Sequence, residues 1–172
     1  MPMRSRQSST DKSFTYFALL NAFGKRGCPI CRLMDEYSLA YLDALLYEQV
    51  NDAGVRRKLR DARGFCNWHA WQARTIANSA LGVALIAEDL LTEELTRLDH
   101  LRRRPVAARM RSLTDTGMSP TSLRTFPQGW RQKKICPACQ ILLAHERHAL
   151  ETLLNFLRQA DFAHRFEASA GL

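Results

Sequence analysis

Two short motifs in the chain carry side chains that bind metal. Cys28-Pro29-Ile30-Cys31 is a CPxC pair, and Gly64-Phe65-Cys66-Asn67-Trp68-His69 ends in CxxH. Together Cys28, Cys31, Cys66 and His69 form a Cys₃His ligand set, for which structural zinc is the first candidate. Each pair places two ligands one turn apart on the same side of a helix start. There the free N–H groups and the positive end of the helix lower the thiol pKa, and the metal takes the thiolate. Zinc would bond to sulfur at about 2.3 Å and to imidazole nitrogen at about 2.0 Å, in a tetrahedron. A closed set of four ligands leaves no position for water, so the pattern argues against catalytic zinc and against an enzyme.

Other readings of the same residues stay open. Cys28, Cys31 and Cys66 could be buried apolar thiols, and a Cys₃His set could hold an iron–sulfur cluster. A CPxC at a helix start also resembles a redox dithiol, although the thioredoxin type needs a preceding strand and a βαβ context that the chain lacks. Haem attachment is excluded, because Arg32 and Gln140, not histidines, follow the two CxxC pairs. Cys136-Pro137-Ala138-Cys139 supplies a second metal half-site, Cys136 and Cys139. These two cysteines could instead join Cys28 and Cys31 in a Cys₄ site. His145 and His148 share a helix face, but His-Glu-Arg-His brings the second histidine one residue too early for HExxH. His100 and His164 read as surface residues, and Trp68 and Trp71 as packing around the site.

Helices must position these motifs. Glycine is sparse, and 46% of the residues are hydrophobic, enough for a core. Asp11 can cap a first helix to about Lys25 with Phe14, Phe17, Leu20 and Ala18 inward. Pro29 suits the first turn of a second helix reaching about Gln49, roughly 30 Å long at ~1.5 Å per residue. Its apolar stripe is wide: Leu33, Tyr37, Ala40, Ala44 and Tyr47 on one face, Leu42, Leu45 and Leu46 on the next. Asn51-Asp52 caps a short third helix to about Ala62, with Val55 and Leu59 inward. Arg63-Gly64 is a helix stop. Cys66 opens a fourth helix, read as continuous to Leu98, with Gly82 marking a kink or a tight contact. Another helix follows Cys136, to about Gln159.

The end of the chain resembles its beginning. At an offset of 108, Cys28, Pro29 and Cys31 match Cys136, Pro137 and Cys139, and Leu45-Leu46 match Leu153-Leu154. At an offset of 107, Val55 matches Phe162, Leu59 matches Phe166, and Gly64-Phe65 matches Gly171-Leu172. The pattern predicts an internal duplication with one site per half. Residues 12–101 form the first repeat, 102–134 a basic flexible linker and 135–172 a second, truncated repeat, because the partner of Cys66 would be position 173.

The formal charge of +8 belongs to that linker: Arg102 to Lys134 holds nine basic residues and one acid, and the rest of the chain balances. Arg102, Arg103, Arg104, Lys133 and Lys134 are its densest points and could touch nucleic acid or an acidic surface. A solvated linker explains the same residues, and no recognition helix is evident. The apolar run Phe14–Phe23 is too short for a transmembrane segment. The expectation is a cytoplasmic protein, where clustered thiols hold metal more often than they form disulfides.

CPICRL, LLYEQVND, RGFCNWHAW and the second CPAC before a helix together resemble a family of uncharacterised bacterial and archaeal proteins, domain of unknown function 6062. The likeness covers most of residues 25–172 apart from the linker. It implies a CPxC and a CxxH motif in each half, with Cys28, Cys31, Cys66 and His69 as the first ligand set and Cys136 and Cys139 opening the second. It brings no established activity. The sequence therefore predicts an all-α helix bundle with an internal duplication and a Cys/His metal site. The expected role is a binding or scaffold module whose partner is unknown, a protein being one candidate. A redox or sensor protein is the alternative, and a nucleic-acid-associated protein the third reading.

Overall fold

The computed structural model describes residues 12–103 and 134–171. Among them are seven helices and no strand: α1 (Phe14–Phe23), α2 (Pro29–Tyr47), α3 (Ala53–Ala62), α4 (Asn67–Thr75), α5 (Ala80–Arg103), α6 (Pro137–Phe156) and α7 (Ala160–Glu167). The all-α expectation holds. None of these helices is long and apolar enough to cross a membrane.

The helix boundaries follow local chemistry. Asp52 adopts an extended backbone, and its side chain accepts the Val55 N–H at 2.8 Å, capping α3 as the sequence predicts. At the other end Arg63 (φ 54°) and Gly64 (φ 87°) take left-handed backbone, and the Gly64 N–H donates to the Leu59 carbonyl at 2.7 Å. The single helix expected from Cys66 to Leu98 is in fact two. Ile76 turns extended, Asn78 takes φ 58°, and the Ser79 carbonyl then accepts from the Val83 N–H to begin α5. Asn tolerates left-handed backbone and Ser suits an N-cap, so Asn78-Ser79 acts as a stop followed by a start. Helix α1 begins after Ser13; Asp11 lies outside the described residues.

The described residues divide into two compact units, 12–38 with 141–171 and 39–103 with 134–140. The division falls inside α2 and α6, so the units cut across the sequence repeats. In the first unit Tyr16, Leu19, Phe23, Ile30, Leu33, Ala149, Leu153, Phe156 and Phe162 form the core. The face of α1 is therefore rotated from the expected one: Phe14 and Phe17 are exposed, while Tyr16, Leu19 and Phe23 are buried. Tyr16 stacks on Phe162, with ring centroids 5.3 Å apart, and the aromatic cluster with Phe23 and Phe156 decides which face turns inward.

In the second unit Leu42, Leu45, Leu46, Val50, Leu59, Ala73, Ile86, Cys136 and Ala138 are packed together. Gly82 is a tight contact, not a kink: a Cβ there would lie 2.5 Å from the Leu46 carbonyl oxygen. Only glycine lets α5 approach the α2 backbone so closely. Helix α3 is tied to α5 by charge. Arg60 Nε and Nη2 donate to the two oxygens of Asp89 at 2.8 and 2.9 Å, and Arg56 Nη1 adds a 3.4 Å contact. These guanidinium groups, Arg60 first, hold the Asp89 carboxyl below its ordinary pKa. This scaffold carries the loop Gly64–Cys66 and the start of α4.

Candidate metal centre

Cys66 is the N-cap residue of α4, with φ −68° and ψ 166°, and its carbonyl accepts from the Ala70 N–H at 2.9 Å. His69 follows in the first turn. Cys136 stands in the same relation to α6: its carbonyl accepts from the Gln140 N–H at 3.0 Å, and Cys139 is three residues on. Pro137 fits the first helical position because its missing N–H would find no partner there. The approach to Cys136 is pinned to the end of α3. The Lys134 backbone N–H donates to the Asp61 carbonyl at 3.1 Å, and its Nζ lies 2.8 Å from Asp61 Oδ2.

These two helix starts bring four ligand atoms together. The side chains of Cys66, His69, Cys136 and Cys139 offer atoms that all lie within 4.8 Å of one another. His69 Nδ1 is 3.1 Å from Cys66 Sγ, 3.4 Å from Cys139 Sγ and 3.7 Å from Cys136 Sγ. Cys66 Sγ is 3.6 Å from Cys139 Sγ. In a zinc tetrahedron built from ordinary bond lengths, sulfurs are about 3.8 Å apart and a sulfur and a nitrogen about 3.5 Å. The four atoms thus sit near the corners of a polyhedron sized for one ion.

The protonation chemistry fits a cation. His69 is 3% exposed, and burial lowers its pKa, which favours the neutral imidazole that a metal takes. Its Nε2 is buried without a hydrogen-bond partner among the described residues, so Nδ1 alone faces the sulfurs. Burial acts to raise the Cys66 thiol, but the His69 N–H, the Cys139 and Cys136 thiols and the Trp68 N–H outweigh it and bring it below its ordinary value. Cys139 is pushed up to about 12, first by burial and then by its thiol neighbours. Three sulfurs this close cannot all be thiolates without a positive charge among them. Tyr41, half-buried beside the cluster, has its phenol pKa raised by burial and by the charge of Cys136. Nothing in its sequence context singled it out.

The structure therefore brings Cys66 and His69 of the expected set together with Cys136 and Cys139. Cys28 and Cys31 belong to the other compact unit, at the start of α2, where the Cys31 N–H donates to Cys28 Sγ at 3.4 Å. Neither the Cys28–Cys31–Cys66–His69 set nor the Cys₄ alternative is the group that converges here. The sequence singled out every residue of the cluster. The pairing of a CxxH from one repeat with a CPxC from the other carries no local signal, because α2 and α6 begin with the same motif. All five cysteines are free thiols.

The remaining candidates are exposed. His100, His145, His148 and His164 lie at the surface, and Trp68 and Trp71 are 67% and 59% exposed. The expected packing of those two rings around the site is absent; the Trp71 Nε1–H instead donates to Asn67 Oδ1 at 3.1 Å. Arg102 and Arg103 end α5 and pair with Asp99 at 3.7 and 2.7 Å. Lys134 pairs with Asp61, and Arg104 and Lys133 lie outside the described residues.

No curated protein and no solved structure matches the chain. The family model described as "Family of unknown function (DUF6062)" matches residues 13–172, and the chain belongs to that family.

Proposed function

We propose that this protein binds one structural zinc ion through Cys66, His69, Cys136 and Cys139, and that the ion locks a helical module serving as a binding or scaffold surface. The observation that carries this reading is the convergence of His69 Nδ1 and three Sγ atoms within 4.8 Å. A single ion suits that spacing better than an iron–sulfur cluster, which places several irons and sulfides between its protein ligands. Four protein ligands close a tetrahedron and leave no open position, which favours a structural over a catalytic ion. Zinc here would join the start of α4 to the start of α6 across a span of 70 residues. Reduced free thiols suit a cytoplasmic setting.

The same reading includes an internal duplication. The N-caps of α3 and α7, Asp52 and Gln159, stand at the repeat offset and share extended backbone, with ψ 126° and 123°. Gly64 and Gly171 both take positive φ, 87° and 75°. Leu45 and Leu153, another matched pair, are both fully buried. Shared turns and shared burial support descent from one repeated unit.

Elemental analysis of the full chain, purified without chelator, tests the zinc assignment. The expected result is one zinc per chain, lost in Cys139→Ser. Cobalt exchanged into the protein should show the absorption of a tetrahedral site with three thiolates. Protein free of metal, or a brown protein containing iron and sulfide, defeats the assignment.

A further inference from the structure

The zinc reading leaves Cys28 and Cys31 without a role. We propose that Cys28 and Cys31 form a thiol–disulfide couple, a reversible redox site that reacts with small disulfides. This requires that neither residue is a zinc ligand, and in other respects it is independent of the metal centre.

The geometry begins with the helix. The Cys28 carbonyl accepts from the Arg32 N–H at 3.1 Å, so Cys28 is the residue immediately before α2 and Cys31 lies in its first turn. The Cys31 N–H points at Cys28 Sγ from 3.4 Å. Helix geometry puts Cα atoms three residues apart at about 5 Å, inside the range a disulfide bridges. Gly27 takes φ 91°, and a Cβ added there would meet nothing within 4 Å, so space is open on the N-terminal side. Cys31 is exposed and Cys28 partly so.

The comparison with the other CPxC is informative. Cys136 is buried, and the thiols of Cys136 and Cys139 both face His69. Among the described residues, Cys28 and Cys31 belong to no group of three or more potential metal ligands. The same motif is thus enclosed by ligands in one place and open to solvent in the other. Electrostatics divides the labour within the open pair. Burial acts to raise the Cys28 thiol, but the N–H groups of Cys31 and Ile30 and the Cys31 thiol bring it below its ordinary value. The Cys28 sulfur, then its negative charge, burial, Asp35 and Glu146 hold Cys31 protonated.

The reaction balances with a small disulfide as oxidant. The Cys28 thiolate attacks one sulfur of the disulfide, breaks its S–S bond and releases one thiolate. Cys31 gives its proton to that thiolate and attacks Cys28 Sγ, which releases the second thiolate. That second thiolate takes up a proton from solvent, replacing the one Cys28 had lost on ionising. Two protein thiols become one disulfide, and the small disulfide becomes two thiols.

The test equilibrates the full, metal-loaded chain with mixtures of oxidised and reduced glutathione, traps free thiols by alkylation and maps the products by peptide mass. The expected result is a 28–31 disulfide that forms and reverses with the glutathione ratio while zinc stays bound. In Cys31→Ser the expected product is a persistent glutathione adduct on Cys28, because the thiol that would displace it is gone. Absence of a 28–31 disulfide at every ratio overturns the proposal. So does a second equivalent of zinc that Cys31→Ser loses, because the pair is then a metal half-site. Zinc-free wild-type protein instead overturns the metal reading and leaves the dithiol result to stand on its own.

Discussion

His69 Nδ1 lies 3.4 Å from Cys139 Sγ, although 70 residues separate them in the chain. The other ring nitrogen, Nε2, is buried with no partner among the described residues. A ligand imidazole ordinarily donates its second N–H to a carboxylate, carbonyl or water. Here Nδ1 faces the sulfurs, so the proton must stay on Nε2. Nitrogen-15 NMR of the zinc-loaded protein should show His69 as the Nε2–H tautomer with Nδ1 metallated. A proton on Nδ1 in that state would sink the assigned ligand atom.

Metal removal should be costly and pH-dependent. Structural zinc can supply on the order of 10 kcal/mol of apparent binding free energy at neutral pH, against a total stability of ~5–15 kcal/mol for a typical domain. Excess chelator should therefore remove most helical circular dichroism contributed by residues 39–103. Zinc should also leave as pH falls, because protons compete for the three thiolates and the imidazole. A melting curve unchanged by chelator, with zinc shown to have gone, rules out a structural role.

How much of this was legible depends on the range over which each signal acts. Asp52, Arg63-Gly64 and Pro29 act on their nearest turns, and the structure places each as the sequence implies. Asn78-Ser79 is equally local, but the alanine-rich run around it concealed the break between α4 and α5. The rotation of α1 was not local: Phe14 and Phe17 are as apolar as Tyr16 and Phe23, and only Phe156 and Phe162 from the far end of the chain decide between the faces. The metal centre shows both limits. N-cap and third-residue spacing identified every member of the cluster, while two equivalent CPxC pairs left the partner of Cys66 and His69 undetermined until Lys134 and Asp61 fixed the approach of Cys136.

Gly82→Ala should destabilise the protein despite alanine's better helix propensity. The propensity gain is about 0.5–1 kcal/mol. The added Cβ would fall 2.5 Å from the Leu46 carbonyl oxygen and 3.1 Å from Leu46 Cβ, and the first of these is backbone that cannot rotate away. Overpacking of that kind costs about 1–3 kcal/mol, so a net loss centred on ~1 kcal/mol is expected in urea unfolding of the zinc-loaded protein. Equal or greater stability in Gly82→Ala would mean that α5 does not press on Leu46 in solution.

Asp89→Asn separates the charge clamp from the metal. Asp89 receives both Arg60 donors, at 2.8 and 2.9 Å, and lies on α5 well away in sequence from any ligand. Its side chain is 15% exposed and that of Arg60 is 38% exposed, so solvent screens the pair in part. The expected loss is about 1 kcal/mol at neutral pH. Because the Arg60 guanidinium lowers the folded-state pKa of Asp89, the stabilisation is fully present above the unfolded carboxyl value, about 3.9. It then declines as pH falls through the lower folded value. The stability difference between wild type and Asp89→Asn should therefore stay level from neutral pH down to about 5 and shrink below about 4. Zinc content should be the same in both proteins over the pH range where each remains loaded. A difference that grows on acidification would show that Asp89 is not held ionised by Arg60, since protonation would then be removing an interaction unrelated to its charge.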